Sequence, residues 1–180
     1  MTTPSWKPGL AIRRIGPLLI AMLALEIIFG AFVPGFWRAR NQIDLMQQVS
    51  VNAILALGVT LTIIIGGIDL SVGAVLALVG TATVYMLTYT GSGSQSLGQF
   101  VLAIACGMGM AGAFGLFNGI PAAKTRMPAF VITLATMMVA RGMAYRFNEA
   151  RPMPVPDQQT AFLALGNARL FGVVPVPVIV

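Results

Sequence analysis

Apolar residues in this chain run in long blocks, separated by short stretches rich in glycine, proline or small polar residues. Ile15 to Val33 forms the first block and ends at Pro34-Gly35-Phe36-Trp37. Leu45 to Thr90 is too long for one helix, and GGIDLSVG, Gly66 to Gly73, divides it. TGSGSQS, Thr90 to Ser96, reads as a turn, and RPMPVPDQQ, Arg151 to Gln159, as an extended loop that proline keeps from being helical throughout. A bilayer core of about 30 Å takes roughly 20 apolar residues per helix. The blocks therefore predict spans at 15–33, 49–65, 70–89, 98–120 and 128–147, within a single transmembrane domain covering 1–180. The last eleven residues, LFGVVPVPVIV, are apolar but too short to cross. They are expected to begin a sixth span near 173, with Val180 a truncation point. The expected fold is an all-α membrane protein, a polytopic transmembrane helix bundle of five complete spans plus the start of a sixth.

Composition agrees with this pattern. Hydrophobic residues make up 57% and charged residues 9%, against roughly 25% charged in ordinary soluble domains. The net charge of +6 would suggest nucleic acid in a soluble protein. Here the basic residues flank apolar blocks, which is a membrane-orientation signal, so no nucleic-acid partner is expected. Lys7, Arg13 and Arg14 precede the first span, and PAAKTR puts Lys124 and Arg126 in a very short loop after the fourth. With the N-terminus in the cytoplasm, four crossings return that loop to the cytoplasm, so the two cues agree. Arg38, Arg40, Arg151 and Arg169 fall on the outer side. The chain has no histidine and one cysteine, Cys106. Histidine-based catalysis, disulfides and thiolate metal clusters within it are excluded, no metal or cofactor is expected, and Cys106 reads as a small packed hydrophobe.

A few positions stand out against the apolar background. Asp69 has 24 uncharged residues before it and 54 after it. A carboxylate at a helix centre costs about 2.5–3.5 kcal/mol on insertion scales, so its surroundings must compensate. Gly66 and Gly67 can break the helix there, and Asp69 or Ser71 can cap the next one by accepting from its free amides. A direct part in solute passage or gating is the alternative. Arg141 falls roughly 20 Å into the fifth span at 1.5 Å per residue. It either snorkels to the interface beside Tyr145, pairs with Glu26 or Asp69, or lines a polar path. Asn52, Thr60, Thr62, Asn118, Thr133 and Thr136 can line a hydrophilic route or bond to neighbouring helices. Gly107, Ala111, Gly115 and Gly119 recur every four residues and present one small face for helix packing, as do Gly73, Ala77 and Thr81.

A phosphate-binding loop ahead of Lys124-Thr125 would need glycine at 118 and 123, where the chain has Asn118 and Ala123. If ATP drives this protein, another subunit binds it. The stretch VNAILALGVTLTIIIGGIDLSVGAVLALVG, Val51 to Gly80, closely resembles the permeases of ribose-type and xylose-type ABC importers. NGIPAAKTRMPAFVITLATMMVARG, Asn118 to Gly142, continues the resemblance, as do RPMPV and LFGVVPVPVIV. About 130 of the 180 residues are covered, and the motifs occur in the family's order. The resemblance implies a permease subunit of the bacterial inner membrane, forming the translocation path for a monosaccharide. It also implies three protein partners: a cytoplasmic ATP-binding subunit, a periplasmic sugar-binding protein, and a second permease copy or paralogue.

Three other readings remain to be separated. A related permease for branched-chain amino acids or nucleosides would share the architecture. An intramembrane enzyme using Asp69 as an acid lacks a second acidic or histidine residue in a later span. An inactive fragment would transport nothing in isolation.

Overall fold

Backbone amides and carbonyls in hydrocarbon must bond within their own segment, so uncharged apolar blocks fold as helices. The computed structural model describes residues 8–89, 97–149, 151–155, 160–167, 169–170 and 174–175. Its helices are α1 (Pro8–Phe32), α2 (Ala39–Ile64), α3 (Val72–Tyr89), α4 (Leu97–Lys124), α5 (Ala129–Asn148) and the short α6 (Thr160–Asn167). Two-residue strands β1 (Arg169–Leu170) and β2 (Val174–Pro175) pair antiparallel. Among the described residues, four helices are long and apolar enough to cross a membrane: α1 from Ile15, α2, α3 and α4. The fifth expected span corresponds to α5, which has 20 residues, carries Arg141 and Arg146, and is not among those four. The chain is an all-α polytopic membrane helix bundle.

The chain divides into two units, Met1–Met46 and Gln47–Val180. In the first, α1 ends in a turn where Gly35 adopts φ +83°. Asn41 Nδ2 and Gln42 Nε2 both donate to the Phe36 carbonyl over 2.8 Å, and Phe36 meets Trp37 edge to face. The Trp37 indole lies where a Cβ on Gly30 would be, so glycine makes room for it. These contacts start α2 at Ala39, ten residues before the expected span.

The second unit is organised by α3, α4 and α5. Ala74, Leu78, Ala82, Val84 and Leu87 are the buried apolar positions of α3, and Ala140 and Ala144 face this core from α5. Alanines at the seam let the two backbones approach closely, and Met110, Phe114, Met137 and Phe147 fill the margin. The buried row on α3 lies one residue on from the expected Gly73–Ala77–Thr81 stripe, whose Gly73 and Ala77 are exposed. On α4 the close approach is at Gly107, where a Cβ would come within 2.6 Å of Thr83 Oγ1 and 3.3 Å of Val79 Cγ1. Gly115 and Gly119, on the same expected stripe, would meet nothing within 4 Å. Ala111 is exposed.

Helix α4 continues through Pro121 to Lys124, four residues past the expected end. Proline lacks the N–H and crowds the preceding turn, but its carbonyl still accepts: Pro121 O takes both the amide and the hydroxyl of Thr125, at 2.9 and 2.7 Å. In the segment after the expected external loop, Gln47 Nε2 donates to the Gly166 carbonyl over 2.7 Å, and Phe162 meets Phe100 of α4 edge to face. Of the sixth span expected near 173, the described residues hold only Val174–Pro175, which is extended.

Candidate functional site

The site begins where α2 stops. Gly66 takes φ +82°, the left-handed conformation that glycine adopts without a Cβ clash. Its N–H donates to the Ile63 carbonyl and the Gly67 N–H to that of Thr62, both at 2.9 Å. This pair of bonds is a Schellman cap, which satisfies carbonyls of the last turn of α2 and ends the helix. Ile68 to Leu70 then run without helical structure to Ser71, whose carbonyl accepts the first α3 bond from Val75 N–H at 2.9 Å. Ser71 is thus the N-cap residue of α3.

Asp69 Oδ1 accepts from both the amide and the hydroxyl of Ser71, at 2.8 and 2.6 Å. The amide bond closes an Asx turn, a local arrangement that short acidic side chains favour. Asp69 therefore takes the amide of the cap residue itself. Among the described residues neither Asp69 nor Ser71 bonds through its side chain to an amide within the first turn of α3. The Ser71 hydroxyl instead accepts from Asn118 Nδ2 of α4 at 2.9 Å, and Asn118 Oδ1 accepts from the Thr136 hydroxyl of α5 at 2.6 Å.

These bonds form one line, Thr136 to Asn118 to Ser71 to Asp69, with every proton pointing toward the carboxylate. A hydroxyl has one proton to give, so once Ser71 donates to Asp69 it can only accept from Asn118, which fixes the amide orientation of Asn118. Ser71, Asn118 and Thr136 are buried, at 1%, 8% and 1% exposure. A second tether comes from Thr133 on α5. Its hydroxyl accepts from Leu70 N–H at 3.2 Å and lies 3.1 Å from the Ile68 carbonyl and 3.2 Å from that of Phe130, where it can donate. The segment is held from α5 immediately before and immediately after Asp69.

Asp69 itself is half-buried, and its side-chain hydrogen bonds among the described residues are both made by Oδ1. The residue borders a cleft of about 620 Å³ whose polar wall is Thr62, Asn118 and Thr133 and whose remaining wall includes Gly115, Gly119 and Ala122. The small residues of α4 thus leave space beside the carboxylate. A second hollow of about 250 Å³, lined by Leu55 of α2 and by Val75 and Phe114, also reaches Asp69 and Ser71. Such an arrangement can accept hydrogen bonds from a hydroxylated solute.

Other expected residues lie elsewhere. Asn52 is exposed on α2 and outside the hydrogen-bonded line. Thr60 and Thr62 bond back to the carbonyls of Ala56 and Gly58 within their own helix. Arg141 is exposed on α5, and no ion pair joins it to Asp69 among the described residues. Lys124 and Arg126 are exposed at the α4–α5 connection. Cys106 is exposed too, contrary to its expected packing, because it lies one residue off the Ala103–Gly107 face that is buried. No group of three or more metal-ligating side chains occurs among the described residues. The interhelical link through Asn118 was not singled out from sequence; its only signal was a set of polar residues on three otherwise apolar helices.

Residues 41–173 match the family model described as "Branched-chain amino acid transport system / permease component". Among curated proteins, the chain is 37% identical over 154 residues to the ribose import permease protein RbsC of Escherichia coli K12, covering 86% of this chain and 44% of that protein. It is 35% identical over 168 residues to RbsC of Bacillus subtilis, covering 93% and 49%. To the galactofuranose transporter permease protein YtfT of Escherichia coli K12 it is 34% identical over 191 residues, covering 99% and 51%. The chain spans about half the length of these curated relatives. No solved structure matches. With the match running from the first turn of α2 through α5 and beyond, the chain belongs to the permease-component family that this model describes.

Proposed function

We propose that this chain is part of the membrane-spanning permease subunit of an ABC-type importer of monosaccharides and contributes to its translocation path. The observation that carries the reading is the half-buried Asp69, whose Oδ1 is fixed through Ser71, Asn118 and Thr136 and which lines a cleft. A polar line across three helices is costly in hydrocarbon and characteristic of solute and ion pathways. The relatives are named for ribose and galactofuranose, which supports a sugar as the solute.

In this reading ATP is hydrolysed on a separate cytoplasmic subunit, a periplasmic binding protein delivers the sugar, and a second permease copy or paralogue completes the path. The protein lies in the bacterial inner membrane with its N-terminus and the Lys124–Arg126 connection in the cytoplasm. Within the path, Asp69 and Ser71 meet the solute or gate it, with Asn52 and Arg141 as further lining positions.

A branched-chain amino acid importer is the second reading, favoured by the wording of the family model. Uptake of labelled pentoses, hexoses, leucine and nucleosides by the full-length permease, assembled with its ATP-binding and solute-binding partners, separates the two. Accumulation of a pentose or hexose alone supports the sugar reading; accumulation of leucine alone rejects it.

A further inference from the structure

Asp69 precedes the first turn of α3, and the last turn of that helix lies about 27 Å away at 1.5 Å per residue. There, at the ends of α3 and α5, a separate cavity of about 710 Å³ is lined by Tyr85, Tyr89, Arg146, Phe147, Glu149 and Arg151, with the following proline-rich segment. The volume falls in the range of small-molecule sites, about 300–1,000 Å³. Its aromatic wall is continuous: the Tyr85 and Tyr89 rings are 4.5 Å apart, and Phe147 meets Tyr85 edge-on at 5.4 Å. Its charged wall forms where α5 stops, because Glu149 adopts φ +50° and the chain leaves the helix into Arg151–Pro154. That conformation is uncommon for a residue with a Cβ. No ion pair joins Arg146, Glu149 and Arg151 among the described residues, so their donors and acceptors are available to a ligand.

We propose that this cavity binds a monosaccharide. A sugar ring has an apolar C–H face, which packs against tyrosine rings, and an edge of adjacent hydroxyls that both donate and accept. Guanidinium groups donate and a carboxylate accepts, so Arg146, Arg151 and Glu149 together satisfy such an edge. A phosphate or carboxylate ligand would meet the two guanidiniums but be repelled by Glu149, and a purely apolar ligand would leave all three charges unpaired. Leu78 and Ala140, both fully buried, belong to the core between the two ends and keep this site distinct from the Asp69 cleft. The proposal rests on the sugar-importer reading and gives it an entry site, at the end that the proposed orientation places outside.

The test uses the full-length permease in lipid nanodiscs, with saturation-transfer NMR to D-ribose and L-arabinose, alongside uptake by the complete importer in proteoliposomes. Tyr89 is 67% exposed and Arg146 is exposed, and neither belongs to the buried core, so Tyr89→Ala and Arg146→Gln leave that core intact. Transfer to the sugar C–H protons is expected in the parent protein and to weaken at least about tenfold in both variants, the effect of losing one good contact. Lys124→Gln, at the other end of α4, is expected to leave it unchanged. Uptake of sugar with no transfer, or with transfer equal in parent and both variants, overturns the cavity assignment while leaving the importer reading in place. A parent importer that accumulates no sugar overturns the importer reading and this site with it.

Discussion

Asn118 of α4 donates to the hydroxyl of Ser71 across 2.9 Å, joining residues 47 positions apart at the point where α3 begins. Both side chains are buried, and Asn118 accepts from Thr136 at its other end. One amide therefore ties α4 to α3 and α5 together, and does so beside the carboxylate of Asp69.

Replacing that amide tests the tie. Asn118→Leu leaves the buried Thr136 hydroxyl without its acceptor and removes the donor to Ser71, which keeps its own bond to Asp69; an unsatisfied buried polar group costs about 1–3 kcal/mol. Thermal unfolding of the full-length permease in detergent is expected to shift down. Adding Ser71→Ala to Asn118→Leu is expected to cost less than the two single effects summed, because both remove the same bond. Strict additivity would show that the bond carries no energy.

Asp69 should separate geometry from charge. Asp69→Asn keeps an oxygen at Oδ1 for the Ser71 amide and hydroxyl, whereas Asp69→Ala removes it and opens the Asx turn. Unfolding temperatures are expected to fall clearly in the alanine variant, by the equivalent of about 1–2 kcal/mol, and little in the asparagine variant. Equal losses would mean that the charge, not the turn, holds this segment.

Among the glycines of α4, the structure predicts a sharp contrast. Gly107→Ala pushes a methyl into the stiff, buried side chain of Thr83 and is expected to cost about 1–3 kcal/mol through overpacking. Gly115→Ala meets open space and is expected to leave stability unchanged or slightly raised. Its methyl would narrow the cleft beside Asp69, so reduced uptake with normal stability is the expected signature at Gly115.

Orientation is open to chemical labelling. In a background with Cys106 and every other cysteine of the full-length permease replaced, Thr125→Cys is expected to react with a membrane-impermeant maleimide only after the cytoplasmic face is opened. Pro152→Cys is expected to react in intact spheroplasts. The reverse pattern would invert the topology inferred from Lys124, Arg126 and the basic N-terminus.

Much of this architecture was legible because its signals are one-dimensional. Uncharged blocks of about span length can only become helices in hydrocarbon, and Gly66-Gly67 marks a break because glycine alone enters the left-handed region freely. What resisted reading depends on partners distant in sequence. Asn118 and Thr136 are ordinary polar residues until α4 and α5 bring them to Ser71. Which face of α3 is buried was equally hidden, since Gly73–Ala77–Thr81 and Ala74–Leu78–Ala82 have the same spacing and only the second row is buried. The fourth span was expected to end at 120, ahead of PAAKTR, but α4 runs one turn further, with the Pro121 carbonyl bonded to Thr125.

The central claim is that Asp69 stands in the path of a transported sugar, and ATP-dependent uptake tests it most directly. The full-length permease, reconstituted with its ATP-binding and sugar-binding partners, is expected to accumulate labelled ribose or a related monosaccharide only when ATP is supplied. Asp69→Asn is expected to lower that rate by about tenfold or more while the complex assembles normally, the effect of losing a charge-assisted hydrogen bond to the solute. Undiminished uptake by the Asp69→Asn importer would contradict the account and leave Asp69 as a structural turn.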